Sequence, residues 1–430
     1  MERSEIASDQ KIWKRFTLNL QVYARSMRIL CVFGQHNYGD PARGEGYEFT
    51  NFLPALRALG HEVSLFDSWD RTAYFDFADL SRAFLRRVAQ EQPDVIFCVL
   101  LGYELWSETL DIVRSTGSAV IINWGTDDSW KYEEFARFMA PHIDWYVTTY
   151  PDVLRKARRN GMGNFVLSQW AASHNQLAEP LPSQHCKYSV TFVGSAYGNR
   201  RKWIERLRAR GIRVECFGHG WPSGPVPAVD LPRIYRESVV TLNFGDSALH
   251  LNGMLPYRSR QLKARVFEVP GAGGCLLTEH AQNLEQYFRI GEEILVFSGP
   301  DELAGHIRYL LAHPDRRDAI SRKGFERVRD QHTYDKRFSE LLDKVMSPPT
   351  SKSVRPIDWV GFESAAVRHS VGSGLRTLKR VLVGPAQIMF GVRRGPRAAR
   401  RLVFELSWRL AGSRTYSAVG WPGRMFYKES

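Results

Sequence analysis

An alternation that runs twice along the chain constrains its fold more than any other feature. "MRILCVFG" is a short apolar run ending at a glycine, and the helix-like "GEGYEFTNFLPALRALG" follows it. Then come "HEVSLFD", the helical "FADLSRAFLRRVAQEQ", "DVIFCVLL", another helical stretch and "SAVIINWG", with "DWYVTT" and "NFVLSQ" extending the series. A helix, a Gly or Pro stop, then a continuous apolar strand is the grammar of a parallel sheet buried on both faces. Residues 171–187, "AASHNQLAEPLPSQHCK", are polar and proline-bearing and read as a linker. A second series then starts at "YSVTFVGS" and continues through "NRRKWIERLRARG", "IRVECFG", "SVVTLNF" and "EILVF". The prediction is an α/β protein of two doubly wound, Rossmann-like domains, 27–170 and 188–346, facing a cleft. An N-terminal extension (1–26) and a tail (347–430) flank them.

Charge separates the tail from the body. The chain carries 59 Lys+Arg against 46 Asp+Glu, and from Ser347 onward the counts are 15 against 4. A near-neutral globular body thus bears a strongly basic appendage, which speaks to partners rather than fold. The opening residues lack the apolar core of a signal peptide, and no apolar run reaches the roughly eighteen residues of a membrane span. A cytoplasmic location is the default expectation. Five scattered cysteines, with no CxxC and no His/Cys pairing at ligand spacing, point to reduced thiols and to no metal site.

Ligands of open parallel sheets bind beyond the carboxyl ends of the strands, and four strand ends carry suggestive residues. In "FGQHNYGDPARGEGYEF" the glycines, Gly34 and Gly39 among them, permit close backbone approach, as a ligand loop or as a flexible connector. "NWGTDDSW" places Asp127 and Asp128 after a strand, where they serve as proton acceptors for a hydroxyl nucleophile or as the N-cap of the next helix. "FVGSAYGNRRKW" runs from Gly194 into Arg200, Arg201 and Lys202 at a helix start. Cations there oppose the helix dipole unless an anion such as a diphosphate sits between them. The fourth is "RVFEVPGAGGCLLTE", where Glu268 interrupts an apolar segment between Arg265 and the turn glycines Gly271, Gly273 and Gly274. A carboxylate in such a segment needs a partner or a task. If Pro270 opens the helix, Glu268 lies near its positive end, placed to accept hydrogen bonds from a ribose. His219 and His250 are lone histidines and read as structural.

With those residues in view, the chain resembles the CgeB-type spore-maturation proteins, a branch of the GT-B glycosyltransferases. The likeness is strong over about Tyr188 to Met346, in "TFVGSAYGNRRKWIERLRARGIRVECFGHGW" and "QLKARVFEVPGAGGCLLTEHAQNLEQYF". It is weaker over Met27 to Gln169, where "WGTDDSW" matches best, and it does not cover the tail. The resemblance implies a GT-B fold, a nucleotide-diphosphate sugar as donor, no cofactor and no essential metal. It implies that Glu268 holds the ribose, with Arg200, Lys202, Arg265, Gly194 and the Gly271–Gly274 turn around the donor. Gly34 and Gly39 then belong to the acceptor side, with Asp127 or Asp128 as base. Related retaining enzymes carry a second acidic residue eight positions before the glutamate; here that position is Arg260. This departure motivates the alternative of a non-catalytic, membrane-attached GT-B-like scaffold.

Beyond the hinge-like "SPPTSKSVR", the tail mixes basic with apolar and aromatic residues. On a helix, Ala399, Leu402, Val403, Leu406 and Leu410 share one face, and Val381 to Val392 is long enough to lie at an interface but not to span one. An anionic membrane surface is the expected partner, against a tail that packs on the body or stays disordered. Nucleic acid ranks last, since no recognised nucleic-acid module accompanies the charge.

Overall fold

The computed structural model describes residues 26–252, 255–346 and 355–430. Nearly all of the expected N-terminal extension, and all of "SPPTSKSVR" but its final Arg355, lie outside them.

Six parallel strands form the first sheet: β1 (Arg28–Phe33), β2 (Glu62–Asp67), β3 (Val95–Cys98), β4 (Val120–Trp124), β5 (Trp145–Thr148) and β6 (Phe165–Leu167), in the order β2-β1-β3-β4-β5-β6. Ile29 pairs with Val63 on one side and Val95 on the other. The central strand β3 is wholly apolar and buried because helices cover both faces, among them α1 (Tyr47–Ala58), α2 (Phe77–Glu91), α3 (Ser107–Thr116) and α4 (Pro151–Arg159). Asp76 caps α2 by accepting from the Asp79 amide at 2.9 Å, and Gln92 ends it in the left-handed region.

The second sheet is also parallel, with β7 (Tyr188–Val193), β8 (Glu215–Phe217), β9 (Ser238–Asn243), β12 (Leu276–Glu279) and β13 (Leu295–Phe297) ordered β13-β12-β9-β7-β8. Between β9 and β12 the chain makes an antiparallel hairpin, β10 (Asp246–Asn252) with β11 (Leu255–Arg260), which the sequence reading did not separate from the sheet. Around this sheet lie α5 (Arg200–Arg208), α6 (Leu231–Arg236), α7 (Arg265–Gly271), α8 (Pro300–Ala312) and α9 (Pro314–Gln331).

Two segments after the second sheet pack on the first lobe, and the first of them departs from the expected boundary. The helix α10 (Tyr334–Val345), which the boundary at 346 groups with the second sheet, packs instead on the first. Its Phe338 ring lies 5.1 Å from Phe52 and 5.4 Å from Phe97. Truncating so buried a phenylalanine to alanine costs about 3–5 kcal/mol. The chain crosses between the lobes twice, and the crossings touch: Ala172 donates its amide to the His332 carbonyl at 2.9 Å, and Tyr334 donates to the Ala172 carbonyl at 3.0 Å.

The tail takes the alternative in which it packs on the body. It folds into α11 (Trp359–His369), α12 (Ser373–Phe390), α13 (Gly395–Ala411) and α14 (Trp421–Met425) and packs on the first lobe. Phe362 stacks on Trp106, Tyr416 meets Phe135 edge-on, and Tyr427 meets Phe77 at 4.8 Å. The expected apolar face of α13 divides. Ala399 and Val403 are buried with Phe404 and Ser407, whereas Leu402, Leu406 and Leu410 are exposed.

Candidate active site

At the carboxyl edge of the second sheet, β7 lies between β8 and β9, so strand order reverses beside it. Such a reversal opens a crevice between the loops that leave in opposite directions. Gly194 follows β7 with φ of 152°, a conformation that disfavours a side chain. A Cβ there would lie 3.3 Å from Nη2 of Arg265 and 3.4 Å from Nη1 of Arg200. The two guanidiniums therefore converge over this glycine.

Arg200 begins α5 and is only 4% exposed. Its Nη1 donates to the Ser195 carbonyl at 2.9 Å, and its guanidinium lies 4.4 Å from the Tyr197 ring. Its Nε is buried and has no hydrogen-bond partner among the described residues. Burial, with repulsion from Arg265, lowers its pKa to about 10. Arg265, the first residue of α7, reaches the Asn243 side chain at the end of β9 at 3.4 Å and hydrogen-bonds the Tyr235 hydroxyl. Lys263 completes the group. Burial, assisted by Arg200 and Arg265 and opposed by Asp127, brings its ammonium down to about 8.

Glu268 stands in the first turn of α7, facing this group. Burial raises its pKa, while Arg265 and a hydrogen bond from the Tyr47 hydroxyl pull it back. Tyr47 belongs to the first lobe, and its hydroxyl also lies 2.9 Å from that of Tyr334. The carboxylate thus sits between the lobes rather than in bulk water. Pro270 is not at the helix start: α7 begins at Arg265, and Pro270 is its next-to-last residue.

From the first lobe, Asp127 faces Lys263 and Glu48. Burial raises the Glu48 carboxyl, and Asp127 adds to the effect. Asp128 points the other way. It is 1% exposed, accepts from the Tyr146 hydroxyl at 2.9 Å, and burial brings its pKa up to about 6. Asp127 holds the N-cap position of the short helix Asp128–Lys131, yet its side chain makes no capping hydrogen bond. Capping therefore does not explain either carboxylate, and only Asp127 is placed toward the cleft. Ser129 accepts a hydrogen bond from Gln261 across the lobes.

Several residues expected at the site lie elsewhere. Lys202 is exposed on α5, because two residues along a helix turn the side chain to the far side from Arg200. A Cβ on Gly271 would meet Ala172 at 2.8 Å, one on Gly273 the Ala178 carbonyl at 2.6 Å, and one on Gly274 the Tyr235 carbonyl at 2.8 Å. These glycines admit the chain's own linker and neighbouring helix, not a ligand. Gly34 and Gly39 likewise close on Trp69, with added Cβ atoms 3.0 Å from its Cβ and 2.3 Å from its carbonyl. Arg260 pairs with Glu279 at 3.4 Å. Sequence reasoning missed Lys263 and Glu48; their signal was position alone, one just before α7 and the other just after the first glycine-rich turn.

Three cations on one wall, opposed there among the described residues by Glu268, create a site for a multiply charged anion. Two sheets of this topology, joined by crossing segments and facing each other across the site, match known folds. Sucrose-phosphate synthase from Thermosynechococcus elongatus aligns over 75% of this chain and 100% of its own, at TM-score 0.53 and 14% identity. A glycosyltransferase from Rickettsia africae covers 75% and 98% at TM-score 0.52 and 9% identity. Anabaena HepE, in complex with UDP and glucose, covers 75% and 100% at TM-score 0.51 and 11% identity.

The fold is GT-B.

Residues 200–343 of this GT-B chain match the family model described as glycosyl transferase-like. That span begins at Arg200 and includes Lys263, Arg265 and Glu268. The search of curated proteins gave no match.

Proposed function

We propose that the chain is a glycosyltransferase that takes its sugar from a nucleoside-diphosphate donor. The observation that carries this reading is the meeting of Arg200 and Arg265 over Gly194, with Lys263 beside them and Glu268 opposite. A diphosphate would relieve the mutual repulsion of these groups and supply a partner for the buried Arg200 Nε. Glu268 would then accept from the ribose hydroxyls, since a carboxylate offers more lone pairs than Tyr47 alone uses. Support also comes from the glycosyl transferase-like match over 200–343 and from the UDP and glucose held by HepE in the same fold. The likeness to CgeB-type proteins belongs to the same reading.

On the opposite wall Asp127 is the candidate base for the acceptor hydroxyl, with Glu48 beside it. Closing the lobes over the donor would exclude water and limit hydrolysis.

The test is calorimetric titration with nucleoside diphosphates and their sugar conjugates, followed by donor hydrolysis on the same panel, with Glu268→Ala as control. Binding and turnover that both fall in Glu268→Ala uphold the assignment. Turnover unchanged by the substitution refutes the site. Binding without turnover on any donor favours the scaffold reading that Arg260 motivates.

A further inference from the structure

The buried half of the tail leaves its outer half unexplained. On α12 the residues Leu378, Val381, Pro385, Ile388 and Met389 fall within an arc of about 100°, and all are exposed. Ile388 is 88% exposed and Met389 74%. The stripe runs into the turn to α13, where Phe390 and Val392 are also exposed, Val392 at 77%. The inner side of α12, through Leu375, Leu382, Val383 and Ala386, packs toward Ala399, Val403, Met425 and Phe426. The outward stripe is thus the second face of an amphipathic helix whose first face is already satisfied.

Charge decides what covers it. From Ser364 to Phe404 the sequence holds nine Lys and Arg and no Asp or Glu. Arg380 flanks the stripe, and Arg393, Arg394 and Arg397 surround the apolar tip, all exposed. A second copy laid on this face would bring like charges together. Nucleic acid would use the arginines but leave the isoleucine, methionine and phenylalanine in water. An anionic bilayer satisfies both, taking the apolar tip below the headgroups and the guanidiniums among the phosphates. No helix among the described residues is long and apolar enough to cross a membrane, which fits a surface attachment. The geometry points to the α12–α13 hairpin as a docking site for an anionic lipid surface, entered tip first through Ile388 to Val392.

Removing the whole tail is the wrong test, because Phe362, Tyr416 and Tyr427 belong to the first lobe's core. Instead, the full chain is floated with vesicles of phosphatidylcholine alone and with equal parts phosphatidylglycerol. The wild type rises with the anionic vesicles and stays down with the neutral ones. Arg393→Ala, Arg394→Ala and Arg397→Ala combined lower partitioning about 100-fold, at roughly fivefold per cation. Ile388→Asp with Phe390→Asp lowers it by about 100-fold or more. Val392→Asp, outside either helix, repeats the loss should the pair misfold, with thermal melting and nucleotide binding as controls on all three. Four results overturn the proposal: no flotation of the wild type; equal flotation of the variants; retention on duplex DNA that outlasts Ile388→Asp with Phe390→Asp; or a solution dimer that the same pair dissolves.

Discussion

The two walls of the cleft stand on sheets of the same kind and carry opposite charge. The wall from the first lobe presents Asp127 and Glu48, and that from the second presents Arg200, Lys263 and Arg265. Each sheet has a strand-end turn rich in glycine beside its order reversal, after β1 and after β7. The β1 turn folds Gly34 and Gly39 onto Trp69, whereas the β7 turn sets Gly194 against the Phe192 ring and two guanidiniums. Glycine at a strand end therefore announces close approach without saying to what. The side chains that the next helices bring to the crevice decide the chemistry.

The sharpest way to break this division is Asp127→Asn. Transfer should fall roughly 10²–10⁴-fold, as for loss of a general base, while nucleotide affinity measured by calorimetry changes little. An equal loss of affinity would make Asp127 part of the donor wall. Next in size is Arg265→Ala, expected to weaken nucleoside-diphosphate binding about 10–100-fold. Lys202→Ala should leave it nearly unchanged, and a comparable loss there would contradict the placement of Lys202 on the exposed side of α5.

Lys263 gives a smaller, pH-dependent effect. With its pKa lowered to about 8, the free protein has largely lost this charge by pH 9. A bound diphosphate favours the ammonium, so binding takes up a proton and affinity falls as pH rises above 8. Calorimetry at pH 8.5 in buffers of different ionisation enthalpy should detect the uptake, and Lys263→Met should abolish it. The smallest effect is on stability. Asp128 ionises near 6 when folded, above its ordinary value of 3.8, so the native state binds more protons between these pH values. Stability is lost as pH rises through that window and stays lost above it. Asp128→Asn should melt a few degrees higher at pH 7.5 and gain nothing at pH 4. A gain of equal size at both would remove burial of charge as the cause.

Alternation of apolar runs with amphipathic stretches made both sheets legible, because strand burial on two faces leaves a mark in every central strand. Glu268, Arg200, Arg265 and Gly194 were legible for a related reason: they follow strand ends, and strand ends are where such sheets bind. Lys202 was misplaced because adjacency in sequence does not survive helical phase. Gly271 and Gly273 after Glu268 were misread because their contacts are with Ala172 and Ala178, nearly a hundred residues earlier in the chain, and Gly274 because it closes on Tyr235. The attachment of α10 to the first lobe, and of Phe362, Tyr416 and Tyr427 to the same core, depends on long-range packing that no local pattern encodes.

Ala172 bonds to both His332 and Tyr334, so the outgoing and returning connections lie side by side like two leaves of one hinge pin. Lobes hinged along that edge can swing once the Tyr47–Glu268 and Gln261–Ser129 bonds across the cleft open, but slide past one another only by tearing the Ala172 bonds as well. Arg265 and Asp127 would then always separate and meet along one arc, and on the proposed reading each closure would bring the acceptor wall to the donor wall from the same direction.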